Sequence, residues 1–345
     1  MCNIAGYVGT KRAAPILIEM MLRQEGYNGG FYTGLATIHD GELYHAKLTG
    51  NTRHLIENTN AQELPGTTGI MHSRTNDGGG DAWAHPFIGY RGAKASLAYV
   101  ANGAAGFFAP RLPEYSQKIE ELLKQGYQMT RLPHTDNKPY QVLSDGSHVH
   151  MSDAMCQLIL RNMDRGAETV SAMANAFCDM PAEVVALALD PKRPDQIVWA
   201  RINTPMYVGF AEHGAYLAST PVAFPGDVYT EPQLLPACSS GYVYECGYTV
   251  KPFSSPPACV ANMDAEIRKR IYEEVCSILK KEPIRFADLV KQVRSLFMEG
   301  DIAPAHALVY ETLLSLKNQG RLIAIPYQKP AAREDLYAYQ YHFGL

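Results

Sequence analysis

The chain is 345 residues long, 46% hydrophobic and 19% charged, and its 31 Lys and Arg against 35 Asp and Glu give a formal net charge of −4. That balance excludes a disordered chain and supplies no basic field for nucleic acid or an anionic membrane, while the length suffices for one large core or a large and a small one. Seven cysteines, at positions 2, 156, 178, 238, 246, 259 and 276, form an odd set without Cys-x-x-Cys spacing, which argues against a disulfide framework or zinc ribbon and predicts a reducing, cytoplasmic setting.

The chain opens Cys2-Asn3-Ile4-Ala5-Gly6-Tyr7-Val8-Gly9, a short apolar strand ending in glycine. Pro15 then begins a helix whose Ile16, Leu17, Met20 and Met21 share one face, and Gly26 stops it. Its apolar stretch at 13–22 is interrupted by Glu19 and is too short for a membrane span, and no cleavable signal precedes it. Residues 33–44 read as a hairpin turning at Asp40-Gly41. Strand-like runs follow at 68–72, 96–100, 183–189, 196–202, 206–210 and 215–218, and helical patterns at 113–125, 152–163 and 167–178, the last two separated by Asp164-Arg165-Gly166. This order predicts an α+β fold of stacked antiparallel sheets covered by helices.

Periodicity gives way to proline and serine at 251–257, which predicts a domain boundary. Beyond it, helices over 264–281, 286–297 and 303–319 precede extended pieces at 321–326 and 336–343, with a wing at 327–335 between them. Three helices and a terminal hairpin describe a small winged-helix-like module. Its few cations, among them Lys317, Arg321, Lys329 and Arg333, suit docking or dimerisation better than DNA binding.

Chemistry centres on Cys2. Once Met1 is removed, that residue owns both a thiol and a free α-amine, so it supplies nucleophile and general base together. The alternative is an apolar cysteine opening a strand. Among the other candidates, Asn102-Gly103 alone reads equally as a hairpin turn, and Arg74 alone as a surface salt bridge. His148 and His150 form a His-x-His without a third ligand, so neither a metal nor a cofactor is expected, and His72 and His85 read as structural. The run Gly78-Gly79-Gly80 lacks the Lys-Ser/Thr of a phosphate loop and reads as a substrate loop.

Taken together, the Cys2 strand, Gly69-Ile70-Met71-His72-Ser73-Arg74 with Ala84-His85-Pro86-Phe87, and Tyr99-Val100-Ala101-Asn102-Gly103 resemble the glutaminase domain of class II (N-terminal cysteine) glutamine amidotransferases. The likeness continues through Arg201-Ile202-Asn203-Thr204-Pro205 and Leu217-Ala218-Ser219-Thr220-Pro221. It implies a four-layer αββα Ntn-hydrolase sandwich over 1–253, with the winged-helix-like domain at 260–345. It also implies that the Cys2 thiolate attacks the side-chain amide of glutamine, that Asn102 and Gly103 meet the oxyanion, and that Arg74 receives the substrate α-carboxylate.

The sequence departs from the family at several points. Thr75-Asn76-Asp77 replaces the tryptophan and the threonine-histidine pair that follow the arginine, leaving Thr75 and Asn76 as carboxylate donors. Met151 stands where the family carries the aspartate that receives the α-ammonium, so Asp153 and Asp145 are the candidate substitutes, each also readable as a capping or turn residue. Glu25-Gly26 replaces an arginine-glycine pair, and Asn3 replaces the glycine after the nucleophile. The resulting expectation is a glutaminase releasing ammonia for an acceptor on a separate synthetase subunit, with homo-oligomers allowed. Two alternatives stand beside it: a binding or regulatory protein on the same fold, and a hydrolase of another amide lacking an α-amine.

Overall fold

The computed structural model describes residues 2–104, 106–133, 140–297, 302–331, 333 and 335–345. Strand β1 (Asn3–Gly9) leads into helix α1 (Ala13–Gln24), the hairpin β2 (Tyr32–His39) and β3 (Glu42–Thr49), helix α2 (Thr52–Asn58) and strand β4 (Thr68–Arg74). A second hairpin, β5 (Phe87–Arg91) and β6 (Lys94–Ala104), is followed by α3 (Leu112–Lys124) and the two-residue strands β7 (Arg131–Leu132), β8 (Gln141–Val142) and β9 (His148–Val149). Next come α4 (Met151–Asp164), α5 (Thr169–Asp179), β10 (Glu183–Leu189), β11 (Ile197–Arg201), β12 (Tyr207–Ala211), β13 (Gly214–Ala218) and β14 (Gln233–Leu234). Strands β15 (Ser239–Tyr244), β16 (Gly247–Tyr248) and β17 (Lys251–Pro252) complete the larger part of the molecule.

Two antiparallel sheets result. The first has the order β14-β12-β13-β1-β4-β2-β3, and the second β16-β15-β11-β10-β6-β5 with β17 added against β15. Alternation along β1 explains its place. Ile4 and Val8 join Ile70, Val100, Val185, Leu187 and Trp199 in the core between the sheets. Ala5 and Tyr7 point the other way, where with Leu35 and Met71 they pack on Leu17, Ile18 and Met21 of α1. On the far side, Tyr99, Ala186 and Val198 of the second sheet carry Ala154, Leu158 and Ile159 of α4 and Met173 and Phe177 of α5. Helices therefore cover both outer faces of the stacked sheets. Among the described residues, no helix is long and apolar enough to cross a membrane.

The chain leaves the second sheet at Pro252 and enters α6 (Ala265–Leu279), capped by the Asp264 carboxylate on the Ile267 amide at 2.9 Å. Short β18 (Ile284–Arg285), α7 (Phe286–Arg294), α8 (Ala305–Asn318) and the hairpin β19 (Ile323–Pro330) and β20 (Tyr337–Gly344) follow. These elements share a separate core around Ile271, Val275, Phe286, Leu289, Leu313 and Phe343. Part of the stretch expected to be a wing is strand instead. Strand β19 runs on to Pro330 because Tyr327 pairs with Gln340 and Lys329 with Ala338 across the hairpin. Helix α2 and strand β5 were not legible as elements; α2 is only seven residues long, and its Asn51 cap on the His54 amide was the available signal.

This second unit sits directly on the loop after α1. The Tyr341 amide donates to the Gly26 carbonyl at 2.8 Å, Asn28 Nδ2 to the Tyr310 hydroxyl at 2.7 Å, and Asn51 Nδ2 to the Tyr337 carbonyl at 3.0 Å. Gly26 has φ +101°, and a Cβ there would lie 2.5 Å from the Tyr341 ring, so glycine serves both the turn and the close approach.

Helix α4 is capped by His150, whose Nδ1 accepts from the Ser152 amide at 3.1 Å, so neither Ser152 nor Asp153 is the cap. Asp153 instead lies buried in the first turn, accepting from the Thr130 amide at 2.7 Å and Gln157 Nε2 at 3.3 Å. Burial is the main reason its carboxyl is pushed up to about 6, with Thr130, Gln157 and the Lys47 ammonium opposing.

Between the unfolded and folded values of that carboxyl, the folded state keeps a proton that the unfolded chain has lost, so stability falls as pH rises. Urea unfolding should therefore show wild type losing on the order of 2–3 kcal/mol relative to Asp153→Asn between pH 4 and pH 7. A pH-independent difference would contradict the assignment. Gly26→Ala should loosen the second unit, read as faster limited proteolysis across 254–262, with the sheet core unchanged in hydrogen exchange.

Candidate active site

Pairing of β1 with β4 places Asn3 opposite Ser73, which brings Cys2 alongside the Arg74 end of the neighbouring strand. The opposing sheet delivers Asn102 and Gly103 from β6. Cys2, Arg74, Asp77, His85, Gly103, Tyr140 and Met151 line one cavity of about 270 Å³, whose remaining wall includes Tyr99, Met155, Met180, Ala182 and Val184. Asn102 is fully buried at its edge, with Nδ2 donating to the Cys2 carbonyl at 2.6 Å.

A histidine sets the orientation of that amide. His72 Nε2 lies 2.9 Å from the Ala101 carbonyl and 3.1 Å from Asn102 Oδ1; both are acceptors, so Nε2 carries the proton. Burial, with Arg74 adding to it, pushes the His72 ring down to about 3, and the ring is neutral. With Oδ1 so engaged, Asn102 turns its amide nitrogen toward Cys2, and one of its two hydrogens is left after the carbonyl bond. His85 stacks on His72 at 3.9 Å and His150 meets His85 edge-on at 5.4 Å. These rings build an uncharged wall, and among the described residues no three His, Cys, Asp or Glu side chains are grouped to hold a metal ion.

Arg74 is almost fully buried. Its guanidinium lies 4.1 Å from the Tyr32 ring centroid, and it donates to the Gly78 carbonyl and, at 3.4 Å, to the Tyr140 hydroxyl. The loop beyond it turns through Gly79 at φ +86°, where a Cβ would lie 2.4 Å from the Trp83 ring. Thr75 and Asn76 do different things here. Thr75 Oγ1 is 3.7 Å from the Cys2 sulfur and donates to Asp77 Oδ2 at 2.5 Å, whereas Asn76 Oδ1 accepts from the Tyr32 hydroxyl at 3.2 Å and the residue is not part of the cavity wall. Burial pushes the Cys2 thiol up; the Asp77 carboxylate adds to this and the Thr75 hydrogen bonds oppose it.

The two substitutes for the missing aspartate lie elsewhere. Asp153 is held by Thr130 and Gln157 and does not line the cavity. Asp145 is exposed on a turn, bound to Ser147 and 3.0 Å from Arg131. Met151 does line the cavity, with an apolar side chain where a carboxylate was sought. Glu25 buttresses β4 from below, accepting from the Ser73 hydroxyl at 2.8 Å and the Thr52 hydroxyl at 2.9 Å. Among the cavity-lining residues that sequence reasoning did not assign to the site are Asp77, Tyr140 and His150. For Asp77 the signal was present: it stands in the very segment that replaces the family pattern after Arg74.

No family model matches the chain. Among curated proteins, it is 30% identical over 227 residues to the glutamine–fructose-6-phosphate aminotransferase (isomerizing) of Streptomyces coelicolor, covering 65% of this chain and 32% of that protein. The enzyme of the same name from Leifsonia xyli is 32% identical over 228 residues, covering 65% and 32%, and that from Pyrococcus horikoshii 26% identical over 230, covering 65% and 33%. The chain thus spans about a third of the length of these relatives. In fold it is similar to the glutamine phosphoribosylpyrophosphate amidotransferase of B. subtilis, with TM-score 0.59 and 17% identity over 85% of this chain and 64% of that one. A structure described as the allosteric regulatory enzyme of purine biosynthesis gives TM-score 0.60 and 17% identity over 90% and 63%. Over some 65% of its length, this chain is similar in sequence to the aminotransferases named above, and its pair of stacked antiparallel sheets is similar in fold to the glutamine phosphoribosylpyrophosphate amidotransferase.

Proposed function

We propose that the chain hydrolyses the side-chain amide of glutamine through a Cys2 thioester and delivers ammonia to an acceptor on a separate synthetase subunit. The observation that carries this reading is the convergence of the Cys2 sulfur, the Arg74 guanidinium and Gly103 on one cavity, with the Asn102 amide held on the Cys2 carbonyl.

After removal of Met1, the α-amine of Cys2 takes the thiol proton; its ordinary pKa, near 8, lets it serve as base and then as acid. The thiolate attacks the amide carbon, and the oxyanion meets the remaining Asn102 N–H and the Gly103 amide. The returned proton leaves with ammonia, and water then cleaves the thioester to release glutamate. Arg74 is suited to the substrate α-carboxylate, because a guanidinium offers a planar fork to two oxygens. The Thr75 hydroxyl, beside the sulfur, helps position the thiol.

We take 1–253 as the amidotransferase domain and 260–345 as a winged-helix-like docking domain, a reading supported by the separate core of three helices and a hairpin. The acceptor is assigned elsewhere because this second unit is occupied by that core and by its contacts with the loop after α1. Seven unpaired cysteines fit a reducing cytoplasm.

The test is ammonia release from glutamine. Protein whose intact mass shows Met1 removed should release ammonia, Cys2→Ala should release none, and Asn102→Ala should lose roughly 10²–10³ in kcat, as expected for one oxyanion donor. Release that survives Cys2→Ala, or none from processed wild type, overturns the reading.

A further inference from the structure

We propose that Asp77 is the carboxylate that receives the α-ammonium of the substrate, so that the loop after Arg74 recognises both ends of an amino-acid zwitterion. This rests on the glutamine reading above and names the residue that selects its substrate.

Among the described residues that line the cavity, Asp77 is the carboxylate and Arg74 the permanent cation. The other nearby acids are engaged away from the cavity: Asp153 with Thr130 and Gln157, Glu25 with Ser73 and Thr52, and Asp145 with Ser147 and Arg131. Asp77 is fixed without being used up. Oδ2 accepts from the Thr75 hydroxyl at 2.5 Å, while Oδ1 has no hydrogen-bond or ion-pair partner among the described residues. Its placement also fits the chemistry. Thr75 Oγ1 bridges Asp77 to the Cys2 sulfur, so the carboxylate lies two contacts from the nucleophile. In glutamine, four bonds of about 1.5 Å separate the amide carbon from the α-nitrogen, so an ammonium near Asp77 leaves the amide within reach of that sulfur.

Charge supports the same assignment. The Asp77 carboxylate adds to the burial that pushes the Cys2 thiol up, and a bound ammonium would neutralise that influence. The lining also includes Met151, Met155, Met180 and Val184, which favour the aliphatic part of a ligand and offer no charge to either end.

The experiment compares L-glutamine with glutaramate, the same molecule without its α-amine, on wild type and Asp77→Asn. Asparagine keeps an oxygen to accept from Thr75 and removes only the charge. The variant should lose roughly 10- to 100-fold in kcat/KM for glutamine, chiefly through KM, as expected for a charge-assisted hydrogen bond, while glutaramate turnover changes less than about threefold. Equal loss on both substrates, or no loss on glutamine, overturns the assignment. Calorimetric binding of L-glutamine to Cys2→Ala, with and without Asp77→Asn, separates this from the hydrolytic reading. Asp77-dependent binding without turnover by wild type defeats hydrolysis alone, turnover without Asp77 dependence defeats this assignment alone, and absence of both defeats the two together.

Discussion

Strand β1 is paired on both edges, to β4 and to β13, and everything in the site depends on that double pairing. A strand held on one side only could slip by a residue and turn Cys2 to the opposite face of the sheet. Here register is locked again at the first residue after Cys2. The buried Asn3 amide donates to the Gln24 carbonyl at 3.0 Å and the Asn28 carbonyl at 2.7 Å, and Gln24 Nε2 returns a bond to the Ile4 carbonyl at 3.0 Å. Replacing glycine by asparagine at this position therefore ties the nucleophile's strand to α1 and to the loop behind it.

With β1 fixed, the two halves of the cavity come from different sheets. Arg74 arrives on the adjacent strand, and Asn102 crosses from the facing one. The inter-sheet core sets how far apart they stand, so packing at Ile4, Val100 and Leu187 governs the distance between the Cys2 sulfur and the Asn102 amide. Burying a guanidinium beside neutral imidazoles is costly unless its charge is met, and among the described residues Arg74 contacts a ring face, a carbonyl and a phenol. A carboxylate ligand would supply a partner of opposite charge, which is the role proposed for the substrate. The low-dielectric wall of His72, His85 and His150 strengthens that attraction and excludes competing charge.

How much of this was legible follows from the range of the forces involved. The apolar alternation of β1, the hairpin at Asp40-Gly41 and the capped helix α6 are local, and the sequence displays them. Cys2, Arg74, Asn102 and Gly103 were legible through a spaced pattern whose convergence depends on a known fold. Asp153 and Asp145 are candidates by sequence position near Met151, which carries no direction: Asp153 turns toward Thr130, and Asp145 lies on an exposed turn. The glycine run after Asp77 does not display its own geometry in the sequence; the Arg74 bond to the Gly78 carbonyl and the Trp83 contact at Gly79 give that loop a shape.

The second unit is bound to the first by surface that water would otherwise reach. Tyr27 and Val222, each 7% accessible, belong to the core of the second unit although they come from the larger part of the chain. The Tyr27 ring packs against Phe343 at 4.8 Å and Tyr341 at 5.9 Å, and its neighbour Asn28 bonds Tyr310 through one end while its carbonyl receives Asn3. One loop is thus shared between the anchor of the nucleophile's strand and the packing of the terminal helices. Removing the second unit would expose an aromatic side chain and a valine and strip a buried amide of its partner, changes that each act against the folded state. The terminal elements accordingly share their core with the loop that anchors β1.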